Sequence, residues 1–298
     1  MSILSIDLGG TAVKVGLFNK EGKILSVSEH STQAQNGVEA LLDKLCSIVM
    51  SYDDVECVGI SSTGQVNQKD GSIVFATEAL PGYTGTPLKQ ILQQRLGVPV
   101  TVDNDVNCAA IGELHYGAGR GLNDFICVTY GTGIGGAIVI DQKIYYGARG
   151  IAGEIGHLVT HAAGLQCVCG RHGCYEMYGS TNALIRRVQN TAGRRLSGRE
   201  IFLEFCNPVI KAEIDGWIDE IVYGLVSLAH TFNPGYFILG GGILNEQYVI
   251  DSIGLRLNKC VIPTFGGITV QRAEIGNKAG MFGAFYNAAN TSSASSVL

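Results

Sequence analysis

Apolar and polar positions alternate at the start of the chain, then give way to a helical period. The runs Ile3 to Asp7, Ala12 to Phe18 and Ile24 to Ser28 are short and β-prone, with Gly9-Gly10 and Glu21-Gly22 between them, which predicts three antiparallel strands. Val38 to Met50 puts Leu41, Leu42, Leu45, Ile48 and Val49 on one face, the spacing of an amphipathic helix. Cys57 to Ser61 and Val100 to Val102 read as short buried strands, and Val106 to Tyr116 as an Ala-rich helix directly behind Asp105.

The pattern then begins again. Phe125 to Tyr130 is a strand, Gly131 to Gly136 a glycine turn and Ala137 to Ile140 a second strand. Helices follow near 182–191 and from about 214 to 232, then a strand at Tyr236–Leu239 closed by Gly240-Gly241-Gly242, and a last helix near 279–289. The halves echo each other: residues 6–18 and 129–141 are each strand, Thr-containing glycine turn, strand, about 123 residues apart. Either one alone reads as an ordinary hairpin. Together, and with a glycine run behind a third strand, they point to phosphate, because two such hairpins facing each other across a cleft would grip a polyphosphate from both sides.

Composition narrows the class. A chain of 298 residues has room for two domains, and 46% hydrophobic against 16% charged residues supplies a sizeable core. Gly, at 41 residues, is about twice its usual share of ~7%. With only six Pro and no collagen period, that excess belongs at turns and close backbone approaches. The 21 basic and 26 acidic side chains leave a net charge of −5 with no basic cluster, which argues against a nucleic-acid partner. No apolar run approaches the ~18 residues of a membrane helix, and MSILSIDLGG lacks the features of a signal peptide. Nine Cys, an odd number and mostly scattered singly through apolar segments, suit reduced thiols in the cytoplasm.

A glycine turn binds phosphate because its backbone N–H groups converge on the anion with no side chain in the way. Gly9, Gly10, Gly131 and Gly133 supply such turns, with Thr11 and Thr132 as hydroxyl donors. Asp7 ends the first strand beside its turn, where a carboxylate would repel phosphate unless a cation lay between, so it is a candidate for Mg²⁺ held through water. The spacing fits neither a P-loop nor a dinucleotide fingerprint. Asp103-Asn104-Asp105 lies between a strand and a helix, and reads either as a helix cap or as the base of a phosphoryl transfer. Cys167, Cys169 and Cys174 can wrap one tetrahedral ion, and His157, ten residues upstream, completes a Cys₃His set of the structural-zinc type. On spacing alone His161 and His172 are rival fourth ligands. A redox role is weaker, since Cys-x-x-Cys in a βαβ context is absent.

Asp7-Leu-Gly-Gly-Thr11, Asn104-Asp105, Gly131-Thr-Gly-Ile-Gly-Gly136, Glu154-x-Gly-His157 and the run from Cys167 to Glu176 together resemble the ROK family of repressors, open reading frames and kinases. The likeness runs in order from Ile3 to about Tyr286. It implies an α/β fold of the two-domain, actin-like ATPase (ribonuclease H-like) type with a cleft between domains. The domains would be 1–118, with a C-terminal helix at about 279–290 packing back on it, and 119–278 carrying the zinc site, leaving 291–298 as a disordered tail. The resemblance further implies ATP with Mg²⁺ against both glycine turns and near Gly240, Gly241 and Gly242, and a structural Zn²⁺ on His157, Cys167, Cys169 and Cys174. Asp105 matches the general base for a sugar 6-hydroxyl, while Asp103 falls outside the family's Asn-Asp pair. Gly64, Asn104, Asp105, Glu154, His157 and Glu176 match sugar contacts, with His157 using one ring nitrogen on zinc and the other on the sugar.

A homodimer is expected on the same basis. Family repressors carry a DNA-binding domain ahead of the first glycine turn, which here begins at residue 7, so a sugar kinase is expected instead. Its sugar is a hexose or N-acetylhexosamine. Pro81-Gly-Tyr-Thr-Gly-Thr-Pro87 resembles some N-acetylmannosamine kinases more than glucokinases, whereas Met177-Tyr-Gly-Ser-Thr181 departs from the common Ala-Ser-Gly. N-acetylmannosamine is preferred narrowly over glucose, with N-acetylglucosamine, fructose and β-glucosides as further alternatives, and a non-catalytic sugar sensor as a weaker one that intact Asp105 and both phosphate turns argue against.

Overall fold

The computed structural model describes residues 2–77 and 80–295, with side chains described to residue 291. The chain divides into two compact units. Met1–Arg120, Ile144–Ala152 and Asn277–Leu298 form the first, Gly121–Lys143 and Gly153–Gly276 the second. Residues 144–152, assigned above to the second domain, therefore group with the first.

The first unit is built from strands β1 (Ser2–Leu8), β2 (Ala12–Phe18) and β3 (Ile24–Ser31), helix α1 (Gly37–Met50), β4 (Val55–Ser62), the short pair β5 (Gln65–Val66) and β6 (Ile73–Phe75), α2 (Leu88–Leu96), β7 (Val100–Asn104) and α3 (Asp105–Tyr116). Its main sheet has the order β3-β2-β1-β4-β7. The first three strands are antiparallel, and β1, β4 and β7 run parallel. One face packs on α1, where Leu41, Leu42 and Leu45 meet Leu4, Ile6, Val58 and Ile60. Against the other face lies the C-terminal helix, Ala279–Ser295, through Met281 and Phe285 on Ile3, Phe18 and Cys57. Phe285 stacks on Phe18 with centroids 4.6 Å apart. A Cβ on Gly59 would lie 2.0 Å from the Ala284 carbonyl oxygen, so glycine lets the helix rest on the backbone of β4. This helix runs five residues into the tail expected to be disordered. Its last described side chain, Thr291, bonds its hydroxyl to the Asn287 carbonyl one turn back at 2.9 Å. Residues 296–298 lie outside the described residues.

The second unit repeats the plan. Its elements are β8 (Phe125–Tyr130), β9 (Ile134–Ile140), β10 (Lys143–Ile144, where the chain passes to the first unit), α4 (Glu176–Gly179), α5 (Thr181–Ala192), α6 (Gly198–Leu203), α7 (Pro208–Phe232), β11 (Tyr236–Gly240), α8 (Gln247–Cys260) and β12 (Thr269–Arg272). The order is β10-β9-β8-β11-β12, with β8 antiparallel to β9 and parallel to β11. Trp217, on α7, is fully buried among Tyr130, Tyr175, Ile221 and Leu225. α7 begins six residues before the apolar stripe at Ile214, because Asn207 caps it and Pro208 occupies its first turn. Gly135 and Gly136, assigned above to the turn, pair within β9 opposite Thr129 and Val128. A side chain on Gly136 would crowd the backbone there, since a Cβ would fall 2.8 Å from the Gly153 carbonyl oxygen.

Candidate active site and metal centre

In the first unit the polar groups gather at the carboxyl ends of β1, β4 and β7, where open α/β sheets hold their ligands. Asp7, Ser61 and Asp103 share one register row, and Leu8, Ser62 and Asn104 the next. Ser61 Oγ donates to Asp7 Oδ1 at 2.7 Å. Burial raises the Asp7 carboxyl above its ordinary range, opposed by that hydrogen bond and by the Lys14 charge. In the following turn the Gly9 N–H is committed to the Ala12 carbonyl at 2.9 Å, and the Gly9 carbonyl accepts from Thr32 Oγ1 at 2.7 Å. Anion contact at this turn is thus left to Gly10 and the exposed Thr11.

Asn104 both caps and aims. Its Oδ1 accepts the N–H groups of Val106 and Asn107 at 2.9 and 3.1 Å, satisfying the first turn of α3. Its Nδ2 donates to the Gly64 carbonyl at 2.8 Å and to Asp105 Oδ1 at 2.9 Å. Both amide hydrogens are therefore committed in this form. Gly64 has φ +91°, and a Cβ would lie 2.7 Å from the Phe75 carbonyl oxygen, so no other residue fits beside Asn104. Asp105 takes its hydrogen bonds on Oδ1, from Asn104 Nδ2 and from the Val106 N–H at 2.9 Å. Burial of the carboxyl, reinforced by the Asp7 charge, raises its pKa to about 7.

Two segments used above to choose a sugar turn out to be buttresses. Tyr83 is buried, and its hydroxyl pairs with Ser62 Oγ at 2.8 Å. In the other segment Tyr178 accepts the Leu165 N–H at 2.6 Å and Ser180 caps α5. Thr181 holds the second glycine turn: its N–H donates to the Gly131 carbonyl at 3.0 Å and its hydroxyl to the Tyr130 carbonyl at 3.3 Å. The sequence reading missed Thr181, whose partners lie some fifty residues earlier.

In that second turn the Gly131 N–H bonds the Gly133 carbonyl at 3.0 Å, again turning the first amide inward. Gly131 and Thr132 are exposed. Gly240 pairs with Thr129, so the glycine run begins beside the same turn. Gly241, at φ +119°, comes so close that a Cβ would sit 2.1 Å from the Tyr130 carbonyl oxygen. Glu176 is also here, with Oε2 2.5 Å from where a Gly133 Cβ would lie and Oε1 accepting from Cys167 Sγ at 3.0 Å.

His157, Cys167, Cys169 and Cys174 each offer one ligand atom, all within 4.8 Å of one another. Cys169 Sγ and Cys174 Sγ are 3.5 Å apart, and Cys167 Sγ is 3.8 Å from His157 Nδ1. The edges of a tetrahedron with ~2.3 Å bonds are roughly 3.8 Å, so the donor set fits zinc. The knuckle is closed by the Cys167 N–H on the Arg171 carbonyl at 2.7 Å and by the bridges Val159–Cys174 and Gln166–His172. His157 Nδ1 faces the sulfurs, and Nε2 lies 3.9 Å from Glu154 Oε2. His161 is engaged elsewhere, stacked on Tyr178 and 3.5 Å from Glu220, and His172 is not in the cluster. Of the sugar residues expected above, Gly64, Asn104 and Asp105 belong to the first unit, and Glu154, His157 and Glu176 to the second.

The model of the ROK family matches residues 3–291. The chain belongs to the ROK family. A ROK-family glucokinase from Streptomyces griseus, solved with glucose and AMPPNP, is 35% identical, with 97% of this chain and 99% of that one covered and a TM-score of 0.83. A Listeria monocytogenes protein proposed to be an N-acetylmannosamine kinase is 28% identical over 96% and 98% of the two chains, with a TM-score of 0.86. A β-glucoside kinase from Listeria innocua is 32% identical over 96% and 97%. The fold is that of the ROK kinases, the two-domain actin-like ATPase fold. Among the described residues no helix is long and apolar enough to cross a membrane.

Proposed function

We propose that this ROK protein transfers the γ-phosphoryl group of ATP to the 6-hydroxyl of N-acetylmannosamine, with Asp105 as the general base. That the chain is an ATP-dependent sugar kinase follows from its family and its kinase relatives. The observation that carries the choice of base is Asp105 itself: a carboxyl directly behind β7, its hydrogen bonds among the described residues falling on Oδ1, with its pKa at about 7. Such a group is mostly ionised above pH 7 yet basic enough to take a hydroxyl proton. As the proton leaves, the sugar oxygen bonds to the γ-phosphorus and the bond to the ADP oxygen breaks.

Gly64 and Asn104 in the first unit, and Glu154, His157 and Glu176 in the second, are the proposed sugar contacts. Gly10, Thr11, Thr132, Gly133 and Gly242 are the proposed anion donors, with Gly9, Gly131, Gly240 and Gly241 shaping the turns. Asp7 would hold Mg²⁺ through water, and a bound Mg²⁺ would neutralise phosphate charge. His157, Cys167, Cys169 and Cys174 would hold a structural Zn²⁺, leaving His157 Nε2 to face the sugar. A cytoplasmic homodimer belongs to the same reading.

Glucose is the second reading, supported by the 35%-identical glucokinase and by the burial of Tyr83, which takes that residue away from any sugar. A coupled assay with ATP and a panel of hexoses decides. N-acetylmannosamine should give the highest kcat/KM, and equal or better use of glucose would overturn the sugar while leaving the kinase. Phosphate found at carbon 1 by NMR would overturn the role of Asp105.

A further inference from the structure

Asp103, the acid excluded from the base role, is one of the most heavily hydrogen-bonded side chains in the first unit. It is 4% exposed. Oδ1 accepts the Asn104 N–H at 2.8 Å and Asn107 Nδ2 at 3.1 Å. Oδ2 accepts the Tyr146 hydroxyl at 2.6 Å and Asn287 Nδ2 at 3.4 Å. One carboxylate thus ties together the turn after β7, helix α3, the segment 144–152 and the C-terminal helix. The bond from Tyr146 is the shortest of the four, in the range of charge-assisted O–H···O⁻ bonds.

The two oxygens do different things. Oδ1 faces the Asn104–Asp105 turn and fixes the backbone of the residue that caps α3 and bonds Asp105. Oδ2 is held from behind by Tyr146 and Asn287. A carboxylate anchored on one oxygen cannot rotate to release the other, so a donor on Oδ2 sets the geometry delivered through Oδ1. We propose that Tyr146 is a positioning residue for phosphoryl transfer, acting through Asp103 on the turn that aims Asp105. This rests on Asp105 being the base. Among the described residues the hydrogen bonds of Tyr146 run to Asp103 and to the Ala152 N–H, neither of them assigned above to ATP or sugar, which separates its effect from binding.

The test is a double-mutant cycle on the full chain, with steady-state kinetics for both substrates and folding checked by circular dichroism. Tyr146→Phe should lower kcat about ten- to a hundredfold, the loss expected for a misplacement approaching 1 Å, with KM for ATP within about twofold of wild type. On an Asp103→Asn background the same change should cost little more, because the connection it removes is already broken. Wild-type kcat in folded Tyr146→Phe, or an undiminished further loss on the Asp103→Asn background, would overturn the proposal. Asn287→Leu removes the other donor from Oδ2 and should lower kcat severalfold with KM for ATP unchanged. If Tyr146→Phe does not fold, that variant decides alone, and unchanged kcat overturns the idea. Asp105→Asn is measured alongside. Collapse of its turnover beside wild-type kcat in Tyr146→Phe rejects the positioning role and keeps the base, whereas retained turnover in Asp105→Asn rejects the base itself.

Discussion

Replacing Asp105 by Asn tests the base and the physical cause of its basicity together. With its pKa raised to about 7, the carboxyl is about nine-tenths ionised at pH 8, a tenth at pH 6 and a hundredth at pH 5. Wild-type kcat/KM should therefore fall roughly tenfold from pH 8 to pH 6 and roughly a hundredfold to pH 5. An aspartate at its ordinary value of ~3.9 would lose less than about a tenth over the same range. Asp105→Asn should lower kcat ~10²–10⁴-fold with KM little changed, and its residual rate should lack the acid limb. Stability supplies an independent readout with a definite sign. Between pH 3.8 and about 7 the unfolded chain ionises this group while the folded chain keeps it protonated, so wild type loses stability as pH rises through that window and none beyond it. The Asn side chain carries no such penalty and keeps an oxygen for the Val106 N–H. The Tm of the variant relative to wild type should accordingly rise from pH 4 to pH 8, measured by thermal melts in matched buffers. A wild-type profile flat to pH 5, or a Tm difference that does not change with pH, would refute the argument from burial.

Protein purified without chelator should contain one zinc per chain by elemental analysis, and Cys169→Ser should lower both zinc content and Tm, since metal binding is partly folding energy; metal-free protein with an unchanged Tm would reject the site. Gly241→Ala must push its Cβ away from a contact of 2.1 Å with the Tyr130 carbonyl oxygen at a left-handed φ, so KM for ATP should rise about tenfold or more with sugar KM unchanged; normal ATP kinetics would remove the glycine run from the nucleotide site. With N-acetylmannosamine and glucose compared under one set of conditions, a pocket built for the acetamide should lose at least tenfold in kcat/KM on glucose, because its amide-binding groups are left unpaired.

Local pattern made legible whatever depends on local spacing. The hairpins at both glycine turns, the Cys₃His knuckle and the Asn104 cap are each written within a stretch of fewer than about twenty residues. The elements missed have weak local signals. In α2 only Leu88 and Leu92 are buried, behind a cap residue, Pro87, that makes no side-chain cap bond. β12 is a four-residue edge strand with no fully buried position. α8 carries a helical stripe at Val249, Ile250, Ile253 and Leu257, interrupted to the eye by Gly254. Partners far apart in sequence were invisible for a different reason. Nothing near Tyr146 announces Asp103, 43 residues earlier, and nothing near Thr181 announces Tyr130. The spacing argument also overcounted amide donors, because the first glycine of each turn bonds its own turn: Gly9 to Ala12 and Gly131 to Gly133.

The repeated sheet plan shows which differences between the units matter. β1 corresponds to β8 and β4 to β11 by position in their sheets. The penultimate residue of β1 is Asp7, paired with Ser61; that of β8 is Thr129, paired with Gly240. One frame thus places a carboxylate and a hydroxyl in the first unit, and a hydroxyl and a bare backbone at the same places in the second. A carboxylate beside a phosphate requires a cation, whereas a bare glycine backbone lets the anion approach directly. The first unit also has a strand ending in Asp103-Asn104, with Asp105 opening the next helix, where β12 ends in Val270-Gln271-Arg272. At these matched strand ends a carboxylate stands on one copy of the frame and a glycine on the other, the division that a metal-binding acid and a nucleotide-binding backbone would each need.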